Sequence, residues 1–260
     1  MRTHPHAATL RRARIEMGTT LVIEAHADSH EQAATALAAA FAAVSDVVTL
    51  LRPDGPGSDL ARIGAATPGS CVPVSAAALA VLSFAQHLNR LSAGIFDPCL
   101  PACGSISQLE LRDLDGRPTA CPRVPLAIDC GGIAKGYAVD VAVAALERAG
   151  CGAGIVNAGG DVRVFGDLIE PVHVRGPGGS SRTLALADAA LAVSEWQHAK
   201  APAGHRGYYL RTGVAAFPVR RFAAVRARDC MTADALTKCV LLAPPALTTA
   251  LLEEFHATSL

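Results

Sequence analysis

The segment with the clearest chemical signature passes from an apolar strand through an acid and two glycines into a helix with a lysine in its first turn. It reads LAIDCGGIAKGYAVD at residues 126–140. A cation in the first turn opposes the helix macrodipole by about 0.3–1 kcal/mol. A bound anion removes this penalty, because free backbone N–H groups and the lysine ammonium then hold it together. Lys135 therefore indicates an anion site, with a solvated surface lysine as the alternative.

Three further segments carry residue types that could take part in the same chemistry. They are FDP at 96–98, NAGGD at 157–161 and TADAL at 232–236. The small residues of the second let a backbone approach a ligand closely, and the third places Asp234 in the first turn of an apolar helix. Each also has a purely structural interpretation: a loop with a buried Phe, a glycine hairpin turn, and a helix-capping acid instead of a metal ligand.

The elements that must position these segments alternate loosely between strands and helices. Strands are predicted at about 20–25, 154–158, 162–165 and 222–226, and helices at about 31–49, 75–94, 133–149, from about 232, and 245–256. This order, with its hairpin signals, favours an α+β fold over a wound parallel sheet. We predict one domain at 17–260, with mixed or antiparallel sheets packed against helices, and a disordered tail at 1–16.

Composition excludes some classes of function and favours a compartment. The 260 residues carry no net charge and only 4% are aromatic, which argues against a nucleic-acid binder. No apolar stretch approaches the ~20 residues of a membrane span, and the first sixteen residues lack the apolar region of a signal peptide. The eight cysteines form no CxxC pair. We interpret them as reduced and structural, and expect a cytoplasmic protein.

Together and in this order, the segments resemble the ApbE family of FAD:protein FMN transferases. The resemblance covers about residues 17–240. Its motifs are MGT at 17–19, SDLARI at 58–63, FDP at 96–98, DCGGIAKGYAVD at 129–140, NAGGD at 157–161 and TADAL at 232–236. A Rossmann oxidoreductase is a poorer match, because Gly131, Gly132 and Gly136 lack the GxGxxG spacing.

The resemblance implies that FMN moves from FAD, the substrate, to a Thr or Ser hydroxyl of an acceptor flavoprotein, with release of AMP. Such chemistry requires that the pyrophosphate be neutralised and held in line. Many members of the family are exported. The implied FAD contacts are Met17, Phe96, Asp97, Asp129, Lys135, Gly159, Gly160 and Asp161. The implied ligands of a divalent ion, usually Mg²⁺, are the backbone carbonyl of Gly132 and the carboxylate of Asp234.

Two departures from the family pattern affect the implied catalysis. Lys238 stands where the family commonly has a metal-binding threonine, and Thr237 lies one residue early, about 100° around the helix. The ammonium of Lys238 could supply part of the cation's charge near a phosphate, or the residue could simply be solvated. The family's candidate base is a histidine, for which this chain offers His205, one residue from the expected place.

Three functions therefore remain open from the sequence. The first is a magnesium-assisted FMN transferase, with His205 and Lys238 as candidate catalytic residues and Thr237 as a candidate metal ligand. The second is a non-catalytic FAD-binding protein of the same fold, since the metal and base positions are altered. The third is a hydrolase that splits FAD into FMN and AMP, with water in place of the acceptor hydroxyl.

Overall fold

Two antiparallel sheets and six helices form the part of the chain that the structure describes. The structure is a computed structural model that describes residues 8–100, 103–195 and 219–260. The strands are β1 (Ala8–Glu16), β2 (Thr19–Ala27), β3 (Val72–Pro73), β4 (Leu109–Leu114), β5 (Arg117–Pro122), β6 (Ala153–Ala158), β7 (Asp161–Arg175), β8 (Ser181–Glu195), β9 (Phe222–Ala227) and β10 (Thr258–Ser259). The helices are α1 (His30–Leu51), α2 (Asp59–Ala65), α3 (Ala76–Leu91), α4 (Ala134–Arg148), α5 (Cys230–Leu242) and α6 (Pro245–Glu254). The α+β prediction is confirmed.

The larger sheet positions the chemistry-bearing segments side by side. Its strand order is β1-β2-β6-β7-β8-β9-β10, and the smaller sheet has the order β3-β5-β4. Alternate residues of β2, such as Leu21, Ile23 and Ala25, are buried, as the two-residue period of a strand requires. They belong to one core cluster with the buried faces of α1 and α4. Helix α4 packs against both strands of the hairpin β6-β7.

Polar side chains fix the starts of the helices. The hydroxyls of Ser29 and Ser75 accept hydrogen bonds from the first turns of α1 and α3, as their sequence positions predict. Helix α5 begins at Cys230, two residues earlier than predicted, because the carboxylate of Asp229 accepts from the backbone N–H of Thr232. Asp234 consequently lies in the second turn of its helix rather than in the first.

The prediction of a disordered tail at 1–16 is wrong for residues 8–16. These residues form β1, which pairs with β2 from Ala8 opposite Ala27 to Glu16 opposite Thr19. Charged side chains are what an edge strand tolerates best, so the basic cluster that resembles a solvated tail belongs to a strand. Residues 1–7 lie outside the described chain. Met17 and Gly18 form the connecting turn, and both have positive φ, 51° and 70°, as a type I′ turn requires.

The prediction that every cysteine is reduced is also wrong. Cys71 and Cys121 form a disulfide between β3 and β5, although they are 50 residues apart in sequence. The pairing of Val72 with Ala120 places the two cysteines opposite each other. Spacing along the chain gives no sign of this pair, because only the sheet brings it together. Disulfides persist mainly in oxidising compartments, so this one removes one of the arguments for a cytoplasmic location.

Replacement of this disulfide has a predictable cost. We expect Cys71→Ala together with Cys121→Ala to lower the free energy of unfolding by about 2–4 kcal/mol, because the bridge closes a long loop in the unfolded chain. Chemical denaturation measures this, with Cys103→Ala as a control that removes a free thiol. Thiol titration of the wild type in denaturant without reductant should give fewer than eight free thiols. A count of eight would contradict the bridge.

One helix of the described chain is long and apolar enough to cross a membrane by length and composition. It is α1, whose 22 residues lie near the N-terminus. The expectation that no apolar stretch approaches that length therefore does not hold for this segment. Its buried residues, among them Ala36, Phe41 and Val44, pack into the main core. Helix α1 contacts α4, β1 and β2, which accounts for its apolar composition.

Candidate functional site

The predicted residues Met17, Asp129 and Lys135 line one cleft, although they come from distant parts of the chain. Its volume is about 220 Å³. Complete sites for drug-sized ligands usually enclose ~300–1,000 Å³, so the cleft matches only part of a dinucleotide. One wall is apolar and comes from the end of α1 and the loop after it. The other lining residues are Val47, Val48, Leu51, Pro53, Cys130, Gly131 and Ala134.

The FDP segment positions Asp129 instead of lining this cleft. It runs beside residues 126–129, where the N–H of Asp129 donates to the carbonyl of Pro98 at 2.8 Å. The carboxylate of Asp97 accepts from the hydroxyl of Ser105 at 2.6 Å and from the N–H of Ile106 at 3.1 Å. Phe96 is buried in the core. Neither Phe96 nor Asp97 lines the cleft, and their FAD contacts stay predictions.

The first residues of α4, Ala134 and Lys135, line the cleft, and this helix start has backbone donors without an acceptor among the described residues. Its N-cap residue, Ile133, provides no side-chain acceptor. Among the described residues, the backbone N–H groups of Gly132 and Lys135 have no hydrogen-bond acceptor. The carboxylate of Asp129 accepts from the N–H of Gly131 at 2.7 Å and so shapes the preceding turn. Backbone donors at a helix start, beside a lysine, are suited to an anion, and the anion site stays a prediction.

Behind this helix start lies a group of four charged side chains, here called the charge cluster: Lys135, Asp161, Asp234 and Lys238. Lys135 pairs with Asp161, and Lys238 pairs with Asp234. The carboxylates are almost completely buried, with side chains 1% and 0% exposed, whereas the side chain of Lys135 is 33% exposed. Two positive and two negative charges balance. The cluster is neutral as a whole and reaches solvent mainly through Lys135.

Burial and neighbouring charges shift the pKa values within the charge cluster. Burial, assisted by the charge of Asp234, raises the pKa of Asp161 to about 6, against the lowering influence of Lys135. Burial also favours the neutral form of Asp234, but the ammonium groups of Lys238 and Lys135 outweigh it and lower its pKa. The pKa of Lys135 rises despite burial, because Asp234 and Asp161 stabilise its charge. The lowered pKa of Asp234 and the raised pKa of Lys135 thus keep both groups charged at neutral pH.

Close packing of α4 against α5 assembles the cluster. A Cβ atom at Gly136 would overlap the carbonyl oxygen of Cys230, so only glycine permits this approach. The N–H of Gly136 donates to Asp234 at 3.2 Å. One turn later, Asp140 accepts from the N–H groups of Cys230 and Met231 at 2.9 and 2.8 Å. We did not predict a role for Asp140, because its partners lie about 90 residues further along the chain.

The glycines of the NAGGD segment serve a hairpin turn between β6 and β7. Gly159 and Gly160 have φ values of 66° and 104°, which fit a type I′ turn. A Cβ at Gly159 would overlap the hydroxyl of Thr19, so the close approach involves protein rather than a ligand. Gly160 faces open space. The following residue, Asp161, points inward and pairs with Lys135, and its FAD contact stays a prediction.

Residues predicted to bind magnesium meet in the structure, but they do not fit a metal site. Gly132 and Asp234 both contact the side chain of Lys238. Thr237 is turned away: its hydroxyl donates to the carbonyl of Asp234 at 2.6 Å and bonds the hydroxyl of Ser194 at 2.7 Å. No cluster of three His, Cys, Asp or Glu residues suited to a metal occurs in the described ranges. His205 lies outside the described residues.

Several solved structures share this fold over nearly its whole length. A Pseudomonas stutzeri flavinyl transferase ApbE in its apo form has 18% identity and a TM-score of 0.80, covering 97% of this chain and 90% of that one. The flavin transferase ApbE from Vibrio cholerae has 20% identity and a TM-score of 0.75, covering 97% and 92%. An ApbE protein from Thermotoga maritima has 21% identity and a TM-score of 0.75, covering 96% and 91%.

The amino-acid sequence also relates the chain to these ApbE proteins. No curated protein sequence matches the chain. The sequence pattern of the ApbE family, in contrast, matches residues 17–259, which span both sheets from β2 onwards and all the helices of the described chain. This range includes the cleft and the charge cluster. The resemblance inferred from the motifs is therefore confirmed, and the chain belongs to the ApbE family.

Proposed function

We propose that this protein transfers FMN from FAD to a Thr or Ser hydroxyl of an acceptor flavoprotein and releases AMP. The observation that carries the proposal is the cleft that Lys135, in the first turn of α4, lines together with Met17. These groups suit a ligand that combines an anionic pyrophosphate with an apolar ring. Solved relatives named as flavin transferases have this fold.

Each part of FAD has a complementary surface in the cleft. The pyrophosphate binds at the start of α4, where the ammonium of Lys135 and the N–H of Gly132 donate to its oxygens. The isoalloxazine ring lies against Met17 and the apolar wall formed by Val48 and Leu51. Because the cleft is smaller than the whole dinucleotide, the adenosine extends out of it towards solvent. This leaves the bond to AMP accessible to an acceptor.

The reaction replaces the phosphoanhydride bond of FAD with a phosphodiester bond to the acceptor. The acceptor oxygen attacks the phosphorus of the FMN half, and the bond from that phosphorus to the bridging oxygen breaks. AMP leaves with the bridging oxygen and its electron pair, and the acceptor hydroxyl gives up its proton to a base. Lys135 stabilises the negative charge that develops on the phosphate oxygens. His205 stays the sequence-based candidate for the base.

Two other functions make different predictions at the same site. A FAD hydrolase would release AMP and free FMN without an acceptor, because water would replace the hydroxyl. A non-catalytic FAD-binding protein would release neither. All three functions would use the same FAD-binding cleft. They are distinguished by whether AMP is released and whether that release requires the acceptor.

Incubation with FAD, in the presence and absence of an acceptor that a family transferase can flavinylate, tests the proposal. We expect AMP release only with the acceptor, in equal amount to flavin that fluoresces with the acceptor band in a denaturing gel. The control is an acceptor in which alanine replaces the target hydroxyl residue. AMP release without acceptor would identify the hydrolase instead, and intact FAD throughout would leave a binding protein.

A further inference from the structure

We propose that the ammonium of Lys238 takes the place of the divalent cation in this site, so that FAD binding and FMN transfer proceed without metal. The inference deepens the proposed transferase function and depends on it for the transfer step. The side chain of Lys238 lies against both residues expected to hold the ion, Gly132 and Asp234. The alternative interpretation, a solvated lysine, does not fit a side chain that is only 10% exposed.

Lys238 spans the gap between α5 and the loop before α4. Its aliphatic stem lies over Gly132. A Cβ atom added at Gly132 would stand 3.4 Å from the Cε atom of Lys238. Its Nζ atom donates to the backbone carbonyl of Asp234 at 3.0 Å and pairs with the carboxylate of the same residue. The positive charge therefore sits beside the acid from which a metal would otherwise take its main protein ligand.

The side-chain oxygen atoms that were expected to bind the ion already have hydrogen-bond partners. One carboxylate oxygen of Asp234 faces Lys238, and the other accepts from the N–H of Gly136. Magnesium requires an octahedral shell of oxygens and is bound through carboxylates that can turn towards it. The hydroxyl of Thr237 bonds to Ser194 and the Asp234 carbonyl. An ion could enter only by breaking these bonds and expelling the ammonium.

Charge balance leads to the same conclusion. The charge cluster contains two ammonium groups and two carboxylates, so a divalent ion would give it a surplus of two positive charges in a buried place. With a threonine at position 238, as is common in the family, the cluster would instead carry one net negative charge. That arrangement attracts a cation. Lys238 has supplied the missing positive charge covalently.

An ammonium can also perform the electrostatic part of the ion's work. It has three N–H donors, of which the contacts with Asp234 use two. The third has no acceptor among the described residues, and in this proposal it donates to a phosphate oxygen near Gly132. A lysine acts there as a point charge that stabilises the transferred phosphate.

The test compares the wild type with Lys238→Thr and Lys238→Arg, each with Mg²⁺ and with excess chelator. Isothermal titration with Mg²⁺ alone should detect no binding to the wild type or Lys238→Arg, and binding to Lys238→Thr. The FAD dissociation constant of the wild type should change less than twofold between the two conditions. For Lys238→Thr, chelator should weaken FAD binding at least tenfold relative to Mg²⁺.

The two proposals fail in different ways. Mg²⁺ binding to the wild type, or FAD binding or transfer that the chelator reduces tenfold or more, would overturn the replacement of the ion. These wild-type measurements decide the matter even if Lys238→Thr does not fold. Absence of transfer in both conditions, with metal-independent FAD binding and no Mg²⁺ binding, would refute the transferase function and retain the replacement.

Discussion

Asp234→Ala should lower the free energy of unfolding by about 3–5 kcal/mol, the range observed when one partner of a buried ion pair is removed. The carboxylate is completely buried and stabilises the charges of both Lys238 and Lys135. Its loss would leave Lys238 buried without a counter-ion and would remove the acceptor of the Gly136 N–H. Equilibrium unfolding in denaturant, followed by circular dichroism, measures the change.

Two further variants separate charge from packing in this prediction. Asp234→Asn keeps an oxygen for the Gly136 N–H but loses the charge, so it should remain strongly destabilised. The double variant Asp234→Leu with Lys238→Met removes both charges, and it should recover much of the stability because no buried ion is left unpaired. Equal stability of Asp234→Ala and the wild type would show that the charge cluster does not support the fold.

Lys135→Ala should weaken FAD binding about 10- to 150-fold, which corresponds to the ~1.5–3 kcal/mol of a hydrogen bond to a charged group. The ammonium is the most exposed cation of the charge cluster and lines the cleft. Because the contact joins a charge to an anion, the difference between wild type and variant should shrink as salt concentration rises. Isothermal titration at two salt concentrations measures both effects.

The matched control removes a cation at the opposite end of the same helix. Arg148 lies in the last turn of α4, far from the cleft, and Arg148→Ala should bind FAD as tightly as the wild type. FMN should bind more weakly than FAD, since it lacks the pyrophosphate. Equal FAD affinity of Lys135→Ala and the wild type would place the anion site elsewhere.

The position of Lys135 at the start of a helix could be predicted from the sequence because its signal is local. A lysine in the first turn of a helix, after two glycines, needs only neighbouring residues to indicate an anion, and the structure places Lys135 at the start of α4. The helix starts at Ser29 and Ser75 depend on equally local hydrogen bonds. Where the residues that decide a feature lie within one helical turn of each other, the sequence pattern predicts that feature.

Features that depend on contacts between distant segments could not be predicted in the same way. The disulfide of Cys71 and Cys121 requires the register of two strands. The inward direction of Asp161 requires the β6-β7 turn to lie beneath α4, and local spacing alone allowed a ligand contact instead. The pairing of β1 with β2 likewise converts an apparently polar tail into an edge strand. In each case tertiary packing decided between interpretations that the local pattern left open.

Intact mass spectrometry of an acceptor protein tests the central claim most directly. The acceptor is incubated with FAD and the wild-type protein, then denatured so that only covalent flavin remains. We predict a mass increase of one FMN less one water, mapped by fragmentation to a Thr or Ser side chain, and its loss with Lys135→Ala. An unmodified acceptor, under conditions in which a family transferase modifies it and this protein binds FAD, would contradict the proposed function.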